Sequence, residues 1–475
     1  MGAVLQPGCP ALGTVQVPPP LGGPCAAFIT ASARFSHVFR SLLLSLTAVR
    51  PRRPAAAVPA PSPTPAPEAP RRPRRSVVLL VFVLGMLSAT SSLATDLYLP
   101  AFPQIAHDLG ASESQVQLTL TAVMVGLAVG QVIVGPLSDR FGRRVPLLIG
   151  VAVFTATSFL CMVVTSAEMF TAVRLLQGLA AAVSAVVSRA VVRDVFDGDS
   201  AARLFSRLTL IVGLAPMLGP IMGGQLLLFG PWQLLFAVLG AAGVAGFALV
   251  YFGLPESLPH SERVRQDPKA TLRLFGRLLR DPAFIAPMLT MGFSFAMTFT
   301  YISAFSFVSQ SEFGATAQQF SIIFGINTLG MIIGNQVNAA LITRMDTPRR
   351  LVAGLLGATA SVAALGALHL TGSATLVTVT AVLFVMMFFT GLISPNATTL
   401  AIVSRPTSEA GSASALLGTL QFAFGGALAA AAGLTSTGEA TLGSMALVMV
   451  VTSLAATGVY LALVLRRRSV ALTAA

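Results

Sequence analysis

Apolar runs of about 20 residues recur along this 475-residue chain and constrain its fold more than any other feature. The hydrocarbon core of a bilayer is about 30 Å thick, which a helix of about 20 residues crosses. Only 10% of the residues are charged, against about 25% in ordinary soluble domains. Because lipid offers the backbone no hydrogen-bond partner, these runs predict an all-α polytopic membrane protein.

After Arg75 the pattern predicts twelve membrane helices, over residues 77–100, 115–135, 145–165, 169–191, 204–226, 233–254, 283–308, 318–342, 351–371, 376–400, 411–433 and 442–465. Residues 1–75, rich in Pro, Ala and Arg, are predicted to be a disordered extension. We expect one six-helix bundle over 76–254, a cytoplasmic central loop over 255–282, and a second six-helix bundle with a short basic tail over 283–475.

The distribution of charge supports this helix count and sets an orientation. With the N-terminus in the cytoplasm, every Lys and Arg after residue 75 except Arg174 lies in a cytoplasmic segment or at a cytoplasmic helix end. The outer loops carry carboxylates and no basic residue: Asp108, Glu113, Glu168, Glu312 and Glu439. Since basic residues in short loops stay cytoplasmic, both chain termini are predicted to be cytoplasmic.

The short segment between predicted helices 2 and 3 follows the pattern G-x-x-x-D-R-x-G-R-R, with Gly135, Asp139, Arg140, Gly142, Arg143 and Arg144. This pattern resembles the signature loop of the major facilitator superfamily. The resemblance implies a transporter built from two six-helix bundles. A worn copy of the loop, Arg344-Met-Asp346-Thr-Pro-Arg349-Arg350, lies between predicted helices 8 and 9 and agrees with an internal repeat.

The resemblance also implies a cytoplasmic latch, in which Asp139 docks on the positive N-terminus of helix 11 near Ser408 and Glu409. We expect Gly135 and Gly142 to allow close approach and a tight turn. The alternative is that the three arginines of the loop only anchor the topology.

Arg174 is a charged residue inside predicted helix 4, about 9 Å from the outer end at Glu168. Together with Gln177 it forms an R-x-x-Q-G pattern that resembles the helix-4 motif of proton-coupled drug exporters in this superfamily. An intramembrane charge usually faces a polar cavity or a partner. The alternative is an arginine that snorkels to the outer headgroups.

Asp96 is the expected partner of Arg174, since it is the only carboxylate in predicted helix 1 and lies at a similar depth, about 30 Å from Arg75. We hypothesise that Asp96 takes up a proton when Arg174 moves away and loses it when the two pair. The alternative is a solvated carboxylate at the outer interface.

Predicted helix 5 carries small residues and prolines at Ala215, Gly219, Pro220, Gly223 and Gly224. The run resembles the G-x-x-x-G-P-x-x-G-G motif of antiporters, with Ala215 in place of the first glycine. The alternative is a packing seam of small residues, which would leave the direction of transport open.

Further segments resemble the Bcr/CflA drug-resistance transporters, a subfamily of the drug:proton antiporters: Thr95–Pro103, Arg189–Asp194, Tyr301–Ser303, Ser394–Ala397 and Gly411–Gln421. The likeness covers the chain from helix 1 to helix 12. It implies proton-coupled antiport of a drug or drug-like metabolite across the bacterial inner membrane by alternating access. A proton-linked exporter of a dedicated endogenous solute, such as an amino acid or peptide, is the first rival. A transport-dead membrane sensor or assembly protein is the second.

Uncharged polar residues cluster in predicted helices 7, 8 and 10, namely Thr298, Tyr301, Ser303, Asn327, Asn335, Gln336, Asn338 and Asn396. We take Tyr301, Asn327 and Asn396, with Gln177, as candidate lining of a cavity for an amphipathic small molecule. The alternative is that these residues form hydrogen bonds between helices.

The expected partners are the substrate, protons and the lipid bilayer. The net charge of +13 does not indicate nucleic-acid binding, because nine of the arginines precede Ser76. The residues contain no catalytic triad, P-loop or metal-ligand cluster, so we predict no enzymatic activity, no metal and no cofactor besides the proton gradient. We expect the chain to act as a monomer.

Overall fold

Twelve long helices follow one another in the computed structural model, which describes residues 74–196, 198–263, 268–403, 405–429 and 439–473. They are α1 Arg74–Asp96, α2 Glu113–Phe141, α3 Arg144–Leu160, α4 Ala167–Val195, α5 Gly198–Leu226, α6 Gln233–Gly253, α7 Pro282–Phe307, α8 Ala317–Leu341, α9 Thr347–Leu370, α10 Leu376–Ile402, α11 Thr407–Ala429 and α12 Leu442–Thr473. These described ranges contain no strand, so the predicted all-α fold is confirmed. Residues 1–73 of the predicted extension lie outside the described ranges.

Most of these helices can cross a bilayer by length and composition. Nine in the described ranges carry a sufficiently apolar window, and α5 and α11 contain shorter apolar stretches over Leu210–Leu226 and Ser412–Leu428. The remaining helix, α1, has 23 residues, enough for about 34 Å. One long helix therefore stands at each predicted span.

Short elements that the hydropathy pattern did not predict lie between the long helices. A 3₁₀ turn, Leu99–Ala101, and a helix, Phe102–Asp108, follow α1, and a π-helical turn, Val308–Glu312, extends α7. A further helix, Pro268–Leu278, lies in the central loop. The first three occupy the predicted outer end of the molecule.

Hydroxyl side chains cap the outer starts of four helices, α2, α4, α8 and α10. Ser112 caps α2, Thr316 caps α8 and Thr375 caps α10, each in a reciprocal capping box. Ser166 accepts the Met169 backbone N–H at the start of α4. Such caps pair backbone N–H groups that would otherwise lack a partner, typically contributing about 1 kcal/mol each.

Glycines allow equivalent helix pairs in the two halves to approach closely. A Cβ placed on Gly178 of α4 would lie 2.2 Å from the Val123 carbonyl oxygen of α2. In the second half, a Cβ on Gly334 of α8 would lie 2.0 Å from the Phe388 carbonyl oxygen of α10. Helices 2 and 4 thus pack as helices 8 and 10 do, which agrees with the internal repeat. The domain boundaries themselves stay a prediction.

Hydrogen bonds join the two halves near their outer ends. The Ser306 hydroxyl donates to the Leu99 carbonyl oxygen at 2.5 Å, and the Gln318 amide donates to the Gly224 carbonyl oxygen at 3.0 Å. Glu113, the first residue of α2, accepts the Ala440 backbone N–H at 2.7 Å. In this conformation the two halves are therefore tied together on the predicted outer side.

The boundary predicted for helix 2 was wrong by six residues. The sequence pattern ended this helix at Gly135, but α2 continues through Pro136 to Phe141. In these last turns the Ser138 hydroxyl donates to the Gly135 carbonyl oxygen at 3.0 Å. Asp139 and Arg140 consequently lie in the last turns of a helix, not in a loop.

The Gly178 contact generates a stability prediction. We expect Gly178→Ala to lower the free energy of unfolding by about 1–3 kcal/mol, because the new methyl group would displace the α2 backbone. Thermal unfolding of the purified protein in detergent measures the effect. Gly213→Ala is the control, since a Cβ there meets nothing within 4 Å. Equal melting temperatures for the two variants would contradict the close packing of α2 on α4.

Candidate functional site

Arg174 lies on α4 in the interior of the first half and is 0% exposed. One guanidinium nitrogen donates to the Gln177 side-chain oxygen, and another donates to the Ala94 carbonyl oxygen at 2.7 Å. Gln177 in turn donates to the Ser158 hydroxyl at 2.8 Å. The alternative of snorkelling does not fit this geometry, because the charged group is held by neutral acceptors inside the bundle.

Two aromatic rings cover the same guanidinium. Its central carbon lies 4.0 Å from the ring centroid of Tyr98 and 5.4 Å from that of Phe236. The Tyr98 hydroxyl is hydrogen-bonded to Thr119 of α2 at 3.1 Å. Since the face of an aromatic ring attracts a cation, these rings stabilise a charge that water cannot reach. No sequence motif singled out Tyr98 or Phe236 for this contact.

Asp96 ends α1, two residues after the carbonyl group that Arg174 contacts, and is 7% exposed. No ion pair joins Asp96 and Arg174 within the described part of the chain. The structure brings the two residues into one region but does not pair them. The alternative of a solvated carboxylate does not fit the burial of Asp96.

The small residues of α5 pack directly on the end of α1. A Cβ on Gly219 would lie 2.9 Å from the Asp96 Cβ, and a Cβ on Gly223 would lie 1.9 Å from the Leu97 carbonyl oxygen. Gly224 faces α8 instead, where a Cβ would lie 2.3 Å from the Ser321 hydroxyl oxygen. The motif around Pro220 therefore forms a packing seam, as the alternative held, but this seam borders Asp96 and reaches the second half. Ala215 is buried nearby on the same helix.

Two of the candidate lining residues make structural contacts instead. Gln177 is fully buried between Arg174 and Ser158. Asn396, 2% exposed, donates to the side-chain oxygen of Asn338 at 2.7 Å. In this conformation their amides are occupied by neighbouring side chains, and the assignment of Gln177 and Asn396 to a cavity wall stays a prediction.

Tyr301 and Asn327 form a buried pair between α7 and α8. The Asn327 amide donates to the Tyr301 hydroxyl at 3.0 Å, and both residues are 0% exposed. The Tyr301 ring stacks on Phe324 with centroids 5.5 Å apart. The side-chain oxygen of Asn327 has no hydrogen-bond partner, so this pair retains an unused acceptor.

Arg143 is the arginine of the signature loop that the fold buries, at 3% exposure. Its guanidinium contacts Asp139 at 2.5 Å and Asp194, the penultimate residue of α4, at 2.7 Å. It also donates to the Ser138 hydroxyl at 2.8 Å. Burial disfavours the charge of Arg143, but the hydrogen bonds that it donates to both carboxylates outweigh burial, and its pKa is raised. This ion-pair network ties α2, the start of α3 and α4 together.

Glu256, which follows α6, completes this network and was not recognised in the sequence. Its carboxylate accepts the backbone N–H groups of Arg143 at 2.8 Å and Arg144 at 3.2 Å. Burial raises the pKa of Glu256, but these hydrogen bonds and the charge of Arg263 outweigh burial, and the pKa is lowered. Gly142 adopts φ +92°, and a Cβ there would lie 2.5 Å from a Glu256 oxygen. The expected tight turn at Gly142 is thus present.

The other residues of the signature loop have separate positions. Gly135 lies within α2, and a Cβ added to it would meet nothing within 4 Å, so the close approach expected there was wrong. Arg140 is exposed and lies over the Phe141 ring, whereas Arg144 donates to the Tyr251 carbonyl oxygen at 2.6 Å. The Ser408 side chain lies outside the described residues, so the predicted docking of Asp139 on helix 11 stays a prediction.

The second half also buries an arginine, which forms no ion pair with a carboxylate among the described residues. Arg350, in the worn copy of the loop, is 5% exposed and donates to the side-chain oxygen of Asn338 at 2.9 Å. It also donates to the Met345 carbonyl oxygen at 3.1 Å. Asn396 binds the same Asn338 oxygen, so neutral amides occupy the position that carboxylates hold around Arg143.

Comparison with known proteins agrees with this architecture. The sequence model of the Major Facilitator Superfamily matches residues 84–430. An uncharacterized MFS-type transporter of Bacillus subtilis, YdgK, is 39% identical over 377 residues, covering 78% of this chain and 92% of the relative. A bicyclomycin resistance protein homolog of Haemophilus influenzae is 33% identical, covering 74% of this chain and 88% of the relative.

Solved structures show the same fold at low sequence identity. The nucleoside transporter NupG superposes with a TM-score of 0.65 at 13% identity, covering 81% of this chain and 99% of that one. A D-xylose–proton symporter superposes with a TM-score of 0.61 at 16% identity, covering 80% of this chain and 97% of that one.

The two neighbouring arginines of the signature loop should differ sharply in their effect on stability. We expect Arg143→Ala to lower the free energy of unfolding by about 1–3 kcal/mol, because it removes the buried guanidinium that pairs with Asp139 and Asp194, whose side chains are 21% and 12% exposed. The matched variant Arg140→Ala removes an exposed charge and should change it by about 0.5 kcal/mol or less. Thermal unfolding in detergent compares them, and a loss of similar size in both would refute the network.

The lowered pKa of Glu256 predicts a pH dependence. Its stabilising contribution should be present above its ordinary pKa of 4.5 and be lost as pH falls through the lower pKa of the folded protein. We therefore expect the wild type to melt above Glu256→Gln at pH 7, with the difference shrinking only below pH 4.5. Melting curves at several pH values test this, and a difference independent of pH would contradict it.

Proposed function

This chain belongs to the Major Facilitator Superfamily, and from that premise we propose that it is a proton-driven exporter of drugs or drug-like metabolites. It would act in the bacterial inner membrane by antiport, with alternating access between the two faces. Both halves and the proposed coupling residues lie in one chain, which supports function as a monomer. A transporter of this kind needs no enzymatic step and no cofactor besides the proton gradient.

The burial of Arg174 beside the end of α1 is the observation that carries this proposal. Placing a charge in a membrane helix is costly, and its retention points to a role in transport. Arg174 has a buried carboxyl group, Asp96, close by and not paired with it. A carboxyl and a cation that can meet or separate provide a site that binds a proton in one arrangement and releases it in the other.

In the proposed cycle, the conformation described above, which is closed on the outer side, is the state in which Asp96 carries a proton. With Arg174 held by neutral acceptors and rings, a neutral carboxylic acid is favoured at Asp96 over a buried charge without a partner. Opening toward the cytoplasm would let Asp96 lose the proton and pair with Arg174. Because Gly219 and Gly223 have no side chain, α5 can slide along the end of α1 during this change.

The relatives support drug export more than import of a nutrient. One is named a bicyclomycin resistance protein homolog, and several are named multidrug resistance protein MdtL, of which that from Klebsiella pneumoniae is 31% identical over 233 residues. The unused Asn327 oxygen and the Tyr301 ring supply an acceptor and an aromatic surface for an amphipathic compound. We propose this pair as substrate lining that becomes accessible when α7 and α8 rearrange.

The cytoplasmic network is proposed as the latch for the opposite face. Arg143 positions Asp139 at the end of α2, and Glu256 ties the same turn to the central loop. The Glu409 carboxylate at the start of α11 already lies 3.4 Å from Arg277 of the central-loop helix. Docking of Asp139 on the positive N-terminus of α11 would close the cytoplasmic side when the outer bonds open.

Asp96→Asn should abolish proton-driven efflux while folding and insertion stay intact, because the amide keeps the shape of the side chain but cannot exchange a proton. Efflux is measured in cells across a panel that includes bicyclomycin and chloramphenicol, with and without an uncoupler. Asp108→Asn, an outer carboxylate on the short helix after α1, is the matched control and should retain efflux.

Undiminished efflux driven by a pH gradient in Asp96→Asn would remove Asp96 from the mechanism. Export of amino acids or peptides without any change in drug susceptibility would favour a dedicated carrier over a drug exporter. No flux of any tested solute in proteoliposomes would favour the sensor or assembly protein.

A further inference from the structure

The guanidinium of Arg174 is held more by rings and neutral acceptors than by a counter-charge. Tyr98 covers one face at 4.0 Å and Phe236 lies 5.4 Å away, while the Ala94 carbonyl and the Gln177 amide accept its hydrogen bonds. The Arg174 Nε is buried and has no hydrogen-bond partner. Arginine cannot shed its proton in a protein, so this charge has to be stabilised wherever it lies.

We propose that Tyr98, assisted by Phe236, is a positioning residue for proton coupling: its ring holds Arg174 apart from Asp96 while the outer side is closed. This inference rests on the proposed antiport function, in which Arg174 must separate from Asp96 for a proton to bind. The aromatic holding site, defined as Tyr98 and Phe236, stabilises the separated arrangement. Loss of the Asp96 proton creates the stronger attraction that draws Arg174 away.

The surroundings of Tyr98 explain how its ring is fixed. It is 0% exposed, its hydroxyl is bonded to Thr119, and its ring meets Phe102 and Phe236 edge-on at 5.0 Å and 5.8 Å. An aromatic ring fixed in this way costs no reorganisation when the cation returns. The short turn after α1 thereby determines where an α4 side chain rests.

The titratable groups that face Arg174 are few. Asp96 and Tyr98 come from the end of α1 and the turn after it, and the Cys161 thiol comes from the turn after α3. From α6 the facing group is Phe236, and the α5 surface against Asp96 is Gly219. Among these groups, Asp96 is the carboxyl whose loss of a proton creates a negative charge that can attract Arg174.

The chain contains a single tryptophan, which reports on this site directly. Trp232 is fully buried at the start of α6, and its ring lies 5.9 Å from that of Phe236. Its indole N–H donates to Asp108 at 3.1 Å. Movement of the Arg174 charge past Phe236 should change the emission of Trp232, so a pH titration of fluorescence follows coupling without any transported substrate.

The test is this titration on the purified full-length chain in nanodiscs, with Asp96→Asn and Asp108→Asn identifying the transition that belongs to Asp96. Tyr98→Leu removes the ring, so Arg174 should pair with Asp96 more readily and the proton affinity should fall by roughly 2- to 30-fold. The midpoint then moves to lower pH. Tyr98→Phe keeps the ring and loses the hydroxyl. Thr119→Val loses the bond to that hydroxyl and the Thr119 bond to the Val116 carbonyl oxygen within α2. Both should keep a midpoint near that of the wild type.

A Tyr98→Leu midpoint equal to the wild type, or shifted to higher pH, would overturn the proposal. So would a Tyr98→Phe midpoint that moves as far as that of Tyr98→Leu, because the hydroxyl would then be the operative group. If Tyr98→Leu fails to fold, Phe236→Leu carries the same test with a smaller downward shift, and no shift in that variant overturns the proposal.

The outcome also separates this proposal from the proposed function. A fluorescence midpoint that follows the ring, in a protein that transports no compound, would support the holding site and refute the antiporter. Conversely, Tyr98→Leu could retain proton-driven efflux with an unchanged pH profile and an unchanged Trp232 titration. That result would support the antiporter and refute the holding site.

Discussion

The charge of Arg174 has to be stabilised without water, and the packing of the first half depends on how this is done. Groups from α1, the turn after it, α4 and α6 contact this one guanidinium, and Ser158 of α3 is bonded to Gln177, one of its acceptors. Burying an unpaired charge costs several kcal/mol, so none of these groups can be removed without affecting the others. The glycines of α5 bring a fifth helix against Asp96 at the same level. Packing and coupling chemistry therefore share one set of contacts.

The cytoplasmic ends show the same problem solved in two ways. Arg143 is neutralised by two carboxylates, whereas Arg350 at the related position is held by amide and backbone oxygens. Removing either the cation or the carboxylates disrupts an ion-pair network, whereas the amide and backbone oxygens around Arg350 only accept hydrogen bonds. The charged network thus suits a latch that opens and closes, and the neutral cage suits a fixed anchor. The internal repeat preserves the burial of one arginine and changes its partners.

Motif residues were predictable from the sequence to different extents. For Arg174 and Asp96 the sequence left burial and an exposed position both open, and the structure shows that both are buried. The turn at Gly142 follows from its place between two helices. Glu256 and Tyr98 could not be found in this way, because each acts on residues more than 70 positions away along the chain. The role of Gln177 and Asn396 was open in the sequence, because a buried amide in a membrane helix binds a neighbouring helix as readily as a substrate. The end of α2 was predicted six residues early, since the helix continues through Pro136.

The sequence by itself determined the number of spans, their predicted orientation and the repeat, because hydropathy and positive charge act on each segment separately. Only the tertiary structure decided which arginine of the signature loop is buried, which groups stabilise Arg174, and that the outer side is closed. Those outcomes depend on contacts between helices far apart in the chain, and such contacts leave no periodic signal in the residues that make them. These contacts could not be predicted because the partners are far apart in the sequence, even where the motifs themselves are clear.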